Sequence, residues 1–293
     1  MTSGSAAVAA PYTPGYRPPL PLQPDALSLM RLSIDARLDY RFTLPSDFLL
    51  QIEMADLPEQ VVRNARLELP RAERFARIAG QDGVGERVWL NHHGPLTAHY
   101  TAEVEIRRVA RPLAGLLAVP LHLLSANAVG YLMPSRYCPP DRFHQFVESE
   151  FAGLSGGDAV LAMREWIAQH FSYEPAASTS ATTAIDSFVE RRGVCRDFAH
   201  TLISFARAFG IPARFASVYA PSVTPQDFHA VAEVLLEVRP GVSEWHLVDA
   251  TGMAREDQIA KIGIGRDAAD VSFLTCYGFA ELDNKRISVT RLD

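Results

Sequence analysis

The stretch Arg192-Gly193-Val194-Cys195-Arg196-Asp197-Phe198-Ala199-His200 opens a run in which Phe198, Leu202, Phe205 and Phe209 recur at intervals of four, three and four, and Gly210 with Pro212 closes it. That spacing predicts a helix from about Cys195 with one apolar face in a core. Gly193 supplies a sharp turn into the helix, so Cys195 stands at its N-terminus. There the unpaired backbone N–H groups and the positive end of the helix dipole favour a thiolate over a thiol. The same N–H groups can stabilise an oxyanion. Downstream, residues 213–219, 229–238 and 245–248 read as strands, the last two joined by a turn at Pro240-Gly241. Helices followed by an antiparallel sheet make an α+β pattern.

Upstream, residues 184–192 read as a short helix stopped by Gly193. Asp141 and Asp158 are placed to cap two more, the second carrying Val160, Met163, Ile167 and Phe171 on one face, with Gly156-Gly157 as the break between them. Residues 107–140 are apolar and proline-containing, as a connector would be. Before them the pattern changes period. Leu32-Ser33-Ile34-Asp35-Ala36-Arg37-Leu38 alternates apolar and polar side chains, and residues 48–54, 61–69, 87–90 and 97–106 behave similarly, with Pro45, Pro58, Pro70 and Gly83 near the breaks. The economical reading is an antiparallel β-sandwich. The chain is thus expected to divide into a disordered Pro/Ala-rich tail (1–24), an N-terminal β-sandwich domain with its connector (25–133), and a catalytic domain (134–293).

A nucleophile at Cys195 needs a base. His229 is the best placed, because it opens a strand of core-like character, Ala230-Val231-Ala232-Glu233-Val234-Leu235-Leu236. The hairpin at Pro240-Gly241 returns Asp249 to the same end of the sheet, where a carboxylate can hold the imidazole tautomer. Strand register, and with it direct hydrogen bonding, is open at this stage.

These residues also carry a family resemblance. Gly193-Val194-Cys195-Arg196-Asp197-Phe198-Ala199-His200, Gly210-Ile211-Pro212-Ala213-Arg214, Phe228-His229-Ala230, Trp245 and Asp249-Ala250-Thr251 resemble the successive motifs of bacterial transglutaminase-like proteins. The resemblance continues through Gly265-Arg266-Asp267-Ala268-Ala269-Asp270-Val271 and upstream to Pro134-Ser135-Arg136-Tyr137, and covers the chain from about Leu27 onward. It implies a papain-like α+β core with a thiol protease or amidase activity, and with Cys195, His229 and Asp249 as its Cys, His and Asp. Where the family commonly has Trp after His-Ala, this chain has Val231, a change expected at the acyl-binding wall.

Other features narrow the field. Of 293 residues, 34 are acidic and 28 basic, giving a net charge of -6 with no block of either sign, which disfavours nucleic-acid binding. The longest apolar stretch, residues 113–124, is interrupted by Pro120 and His122 and is too short to span a bilayer. Three widely spaced cysteines argue against a disulfide framework or a zinc site, and a cytoplasmic location is expected. Cys138 and Cys276 read as packing residues, His200 as a helix-face hydrogen-bonding group, His246 as structural, and His92-His93 as a loop pair. Asp197 and Arg196 are either cleft or capping groups. The glycines of Gly263-Ile264-Gly265-Arg266 lack the βαβ setting of a nucleotide loop.

The expected activity is cysteine-dependent acyl transfer on a peptide bond or glutamine carboxamide through a thioester, with hydrolysis favoured over transamidation. No metal or organic cofactor is expected, and the expected partner is a peptide or protein substrate. The competing reading is a catalytically silent module that keeps the fold to bind peptides.

Overall fold

A computed structural model describes residues 29–71 and 74–292. The tail expected over residues 1–24 lies outside the described residues. In chain order the elements are β1 (Met30–Leu50), β2 (Gln60–Glu68), β3 (Arg74–Ala79), β4 (Glu86–Ile106) and β5 (Leu117–Ala118), followed by α1 (Ala126–Val129), α2 (His144–Glu150) and α3 (Gly156–His170). Then come β6 (Ser172–Tyr173), α4 (Ala184–Glu190), β7 (Arg192–Gly193) and α5 (Cys195–Ala208). The remainder is strand: β8 (Ala213–Tyr219), β9 (His229–Arg239), β10 (Val242–Val248), β11 (Ala260–Gly265), β12 (Leu274–Tyr277) and β13 (Ala280–Arg291).

The N-terminal β-rich region is a six-stranded antiparallel sheet built on β1 and β4, which pair along almost their whole length. Alternation sends Leu32, Ile34, Ala36, Leu38, Tyr40 and Phe42 inward from β1, and Leu96, Ala98, Tyr100, Ala102, Val104 and Ile106 inward from β4. The break expected at Pro45 is a bulge inside one strand, where the pairing register shifts between Phe42 and Ser46. Beyond it Phe48 and Leu50 re-enter the same core, and the Phe42 and Phe48 rings stack at 4.6 Å. His92 and His93 lie within β4 rather than in a loop, and His92 Nε2 bonds the Pro95 carbonyl at 3.0 Å.

The last two strands return to this sheet: β13 pairs with β1 from Leu32 to Phe42, and β12 pairs with residues 47–50. A boundary at residue 134 therefore does not assign residues 274–291 correctly. They complete the N-terminal sheet, because among the described residues they pair with the side of β1 that β4 leaves open.

In the second half, the order β10-β9-β8-β11 forms an antiparallel sheet, with β5 added on β9. Ala230, Ala232, Val234 and Leu236 face the helices and share a core with Phe198, Leu202, Phe205, Val160, Met163 and Ile167. Helix α5 is thus packed against the sheet, with α2, α3 and α4 on its other sides through Phe143, Phe146, Trp166, Phe188 and Phe205. Gly156 and Gly157 begin α3 instead of separating it from α2. Glycine is needed there because a Cβ on Gly157 would sit 1.8 Å from the Leu113 carbonyl oxygen of the connector.

The two sheets share apolar packing. Tyr219, Ala260 and Ile262 join the core of the N-terminal sheet, and the Tyr219 hydroxyl donates to the Ile52 carbonyl at 2.7 Å. Buried Gln60 completes the seam by donating to the carbonyls of Ala55 and Lys261 and accepting from the Lys261 N–H.

Candidate active site

Cys195 is the first residue of α5, half-buried, and the approach to it is held by Asp197. The fully buried Asp197 carboxylate accepts from the Val194 N–H at 2.9 Å and from the Arg196 guanidinium at 3.1 Å. Gly193 is required by close approach, since a Cβ there would lie 2.8 Å from Asp197 Oδ2. Arg196 also donates to Ser178 Oγ and the Thr179 carbonyl, pinning the preceding loop. Both charged residues therefore shape the turn before the nucleophile position, which is the capping alternative rather than the cleft one.

His229 opens β9 and is 2% exposed. Its Nε2–H donates to Asp249 Oδ2 at 3.0 Å. The register explains this: Val248 lies opposite Ala232, so Asp249, one residue further along, meets His229 on the diagonal between strands. Nδ1 is buried without a hydrogen-bond partner and is the ring nitrogen left for the Cys195 sulfur. Burial alone lowers the His229 pKa. It is outweighed by the hydrogen bond to Asp249 and by the Cys195 sulfur, which together lift it to about 10.

Asp249 is saturated with donors. Oδ1 accepts from the Thr251 N–H and hydroxyl at 2.9 and 2.7 Å, and Oδ2 accepts from the Ala254 N–H at 2.7 Å besides His229. Burial raises its pKa, but these bonds and the His229 charge hold it below the usual carboxylate value. Arg164 fixes the backbone by donating to the Asp249 carbonyl at 2.9 Å. The structure thus puts His229 in direct contact with Asp249, and the Cys195 sulfur is near enough to the imidazole to raise its pKa.

A fourth group was missed in the sequence. Tyr173 sits in the two-residue strand β6, which pairs in parallel with β7 so that Tyr173 lies against Gly193. Its hydroxyl approaches the backbone N–H and the sulfur of Cys195, and its ring packs on Phe198 at 5.9 Å. Burial and then negative charge on Cys195 push its pKa up to about 12, so it stays a proton donor. Its one sequence signal is the apolar-polar-aromatic triplet Phe171-Ser172-Tyr173 just after a helix.

The remaining candidates lie elsewhere. Val231 is fully buried among Val218, Leu247 and Ile264, so it cannot form the acyl-binding wall expected of it. His200 is buried, stacks on Tyr137, and its Nε2 accepts from the Ala268 N–H at 3.2 Å. Cys138 is enclosed in the helical core and Cys276 lies in β12. Asp267 bonds the Tyr137 N–H at 2.9 Å, tying the 265–271 motif to the 134–138 segment.

Comparison with known proteins gives a consistent picture. The family model of the transglutaminase-like superfamily matches residues 145–250. The crystal structure of a candidate cysteine protease from Cytophaga hutchinsonii is 30% identical, with a TM-score of 0.82 and coverage of 91% of this chain and 92% of that one. An uncharacterized protein of Mycobacterium tuberculosis is 32% identical over 130 residues, and one of Mycobacterium leprae is 27% identical over 118. The matches span 41% and 42% of those relatives' lengths, and 41% and 39% of this chain.

Proposed function

The chain belongs to the transglutaminase-like superfamily, and from that premise we propose that it is a cysteine-dependent acyl-transfer enzyme acting on amide carbonyls, with Cys195 as nucleophile, His229 as base and acid, and Asp249 as the residue that orients His229. The observation that carries this reading is the 3.0 Å contact from His229 Nε2 to a donor-saturated Asp249, with Nδ1 left unpartnered for the sulfur.

In the proposed reaction His229 holds the proton taken from the Cys195 thiol. The thiolate attacks the amide carbon, and the negative charge passes to the carbonyl oxygen. That oxygen sits at the start of α5, where the Cys195 N–H and the helix dipole oppose its charge. As the tetrahedral species collapses, His229 gives its proton to the departing nitrogen, the C–N bond breaks, and a thioester remains. A water molecule, deprotonated by His229, then attacks the thioester carbon and releases the acid and the thiol.

Hydrolysis is proposed over amine transfer because it needs only water at the thioester, whereas transfer needs a pocket that holds an amine and excludes water. The proposed substrate is a peptide or protein, and the scattered charge argues against nucleic acid. Among the described residues no helix is long and apolar enough to cross a membrane. The proposal includes a cytoplasmic location, supported by three free cysteines. A peptide-library cleavage screen, run with and without a primary amine and against Cys195→Ala, tests it. Cleavage that vanishes in the variant is expected. Amine-labelled products would redirect the reading to transamidation, and no turnover in any arm, with no acyl-enzyme, would leave the peptide-binding module.

A further inference from the structure

His229 stands where its strand is least supported. The pairing of β9 with β10 stops at Ala232, so among the described residues His229 has a strand neighbour on one side alone, Val218 of β8. Upstream of it, residues 220–228 belong to no helix or strand. A strand end with one partner and an irregular approach frays readily, yet a base must keep its ring fixed between sulfur and carboxylate.

The three residues before His229 supply the missing support, and all three take it from the chain that returns to the N-terminal sheet. Gln226 Nε2 donates to the Val289 carbonyl at 2.8 Å, and Gln226 Oε1 accepts from the Val289 N–H at 2.9 Å. The N–H and C=O of one strand residue point to the same side. The Gln226 amide therefore occupies the edge of β13 that β1 leaves open, as a neighbouring strand would. Asp227 Oδ2 accepts from Lys285 Nζ at 2.5 Å, and its Oδ1 accepts from the Phe228 N–H at 2.7 Å, fixing the entry into β9.

The Phe228 ring stacks on Phe273, with centroids 5.0 Å and planes 6° apart. Phe273 is anchored in turn, since its carbonyl accepts from the Gln51 N–H at 3.1 Å and Lys285 Nζ lies over its ring at 5.8 Å. Three consecutive side chains thus tie the approach to the base onto β13 and the segment leading into β12. Each uses a different interaction, a paired amide, an ion pair and a ring stack.

We infer that Gln226 is a positioning residue for His229, and that through residues 226–228 the returning strands of the N-terminal sheet form part of the catalytic unit. The effect on turnover rests on the acyl-transfer reading; the effect on the His229 ring rests on the geometry alone.

The test compares the full-length wild type with Gln226→Met, which keeps the side-chain length and removes both amide bonds. Asp283→Asn is the control, because it loosens the exposed Arg41 ion pair between β1 and β13, which none of these contacts involves. Histidine-selective NMR titration reads the His229 ring directly, assigned by the signal lost in His229→Gln, and hydrolysis of a peptide from the cleavage screen reads turnover. In Gln226→Met the His229 midpoint is expected to fall by about one pH unit or more as the Asp249 contact loosens. On the same change kcat is expected to fall about 10- to 100-fold with KM within about twofold. Asp283→Asn is expected to match wild type in both. Should Gln226→Met fail to fold, Phe273→Leu, which removes the ring stack, carries the comparison. An unmoved His229 titration in the folded variant, or an equal shift in Asp283→Asn, overturns the inference. No turnover in wild type, together with a shifted titration in Gln226→Met, strikes the acyl-transfer reading and supports the clamp.

Discussion

Asp249 reaches His229 across a strand diagonal, its Oδ2 3.0 Å from Nε2, while four donors in all hold the two carboxylate oxygens in place. The imidazole is therefore clamped on one nitrogen and free on the other. Asp249→Asn replaces an acceptor with a group that can present a donor to the ring and favours the wrong tautomer. On the proposed mechanism kcat falls by about 10²–10⁴-fold with KM little changed, measured by steady-state hydrolysis of a peptide found in the screen.

The three thiols should separate cleanly in alkylation. Cys138 is fully enclosed and burial pushes its pKa up to about 12, and burial also raises that of Cys276. Iodoacetamide at pH 7, read by peptide mass mapping, is expected to modify Cys195 first, and Cys195→Ala should remove the fast phase. Equal, slow labelling of all three would contradict an activated Cys195.

The His229 pKa, lifted to about 10, sets the sign of a pH effect. The folded value stands above the unfolded reference of about 6.5, so the pairing stabilises the fold fully below pH 6.5 and that contribution disappears as pH rises through about 10. Turnover should fall on the alkaline side with a midpoint near pH 10. The Tm gap between wild type and Asp249→Asn should also be wider at pH 7 than at pH 10.5, which calorimetric scans would check.

Tyr173→Phe keeps the ring packed on Phe198 but removes the hydroxyl near the Cys195 N–H and sulfur. If that hydroxyl donates to the developing oxyanion, kcat drops by about 10²-fold while substrate binding and Tm are nearly unchanged. A loss seen in KM alone would instead make Tyr173 a wall of the cleft.

Glu233 is 1% exposed and holds Arg214 and Lys261. Burial raises its pKa, but Lys261 and Arg214 draw it down to about 2. Its stabilising contribution is present above about pH 4.3 and is lost only as pH falls through about 2. Glu233→Gln leaves Arg214 without its charged partner and Lys261 with only Glu59 at 3.5 Å, and a loss of about 3 kcal/mol in denaturant unfolding is expected.

The site was more legible in the sequence than the fold around it. The four-three-four spacing of Phe198, Leu202, Phe205 and Phe209 located α5 and put Cys195 at its first residue, because helical amphipathicity is a local signal. The bounds of β8 were readable for the same reason, a compact run ended by Gly210-Ile211-Pro212 on one side. The extent of β1 was hidden, since Pro45 is a breaker in most strands and only the bulge at Phe42/Ser46 lets one continue past it. The return of β12 and β13 was hidden more deeply. Pairing of Leu32 with Arg291 depends on residues far apart in the chain, and no local periodicity marks it. Tyr173 escaped because a two-residue strand has no period to read. Val231 was misplaced because a motif comparison says which residue changed, not which way its side chain points.

The position of β1 between β4 and β13 has a consequence for how the polypeptide matures. During synthesis β1 and β4 can zip together early, but among the described residues the other flank of β1 finds its native neighbours only when residues 274–291 emerge. Throughout the making of the thiol-bearing half, then, a 21-residue strand offers bare amides and carbonyls to any passing β-segment. A ribosome stalled anywhere short of Leu274 would release a product with this sticky margin, and shielding by a chaperone matters most in that interval.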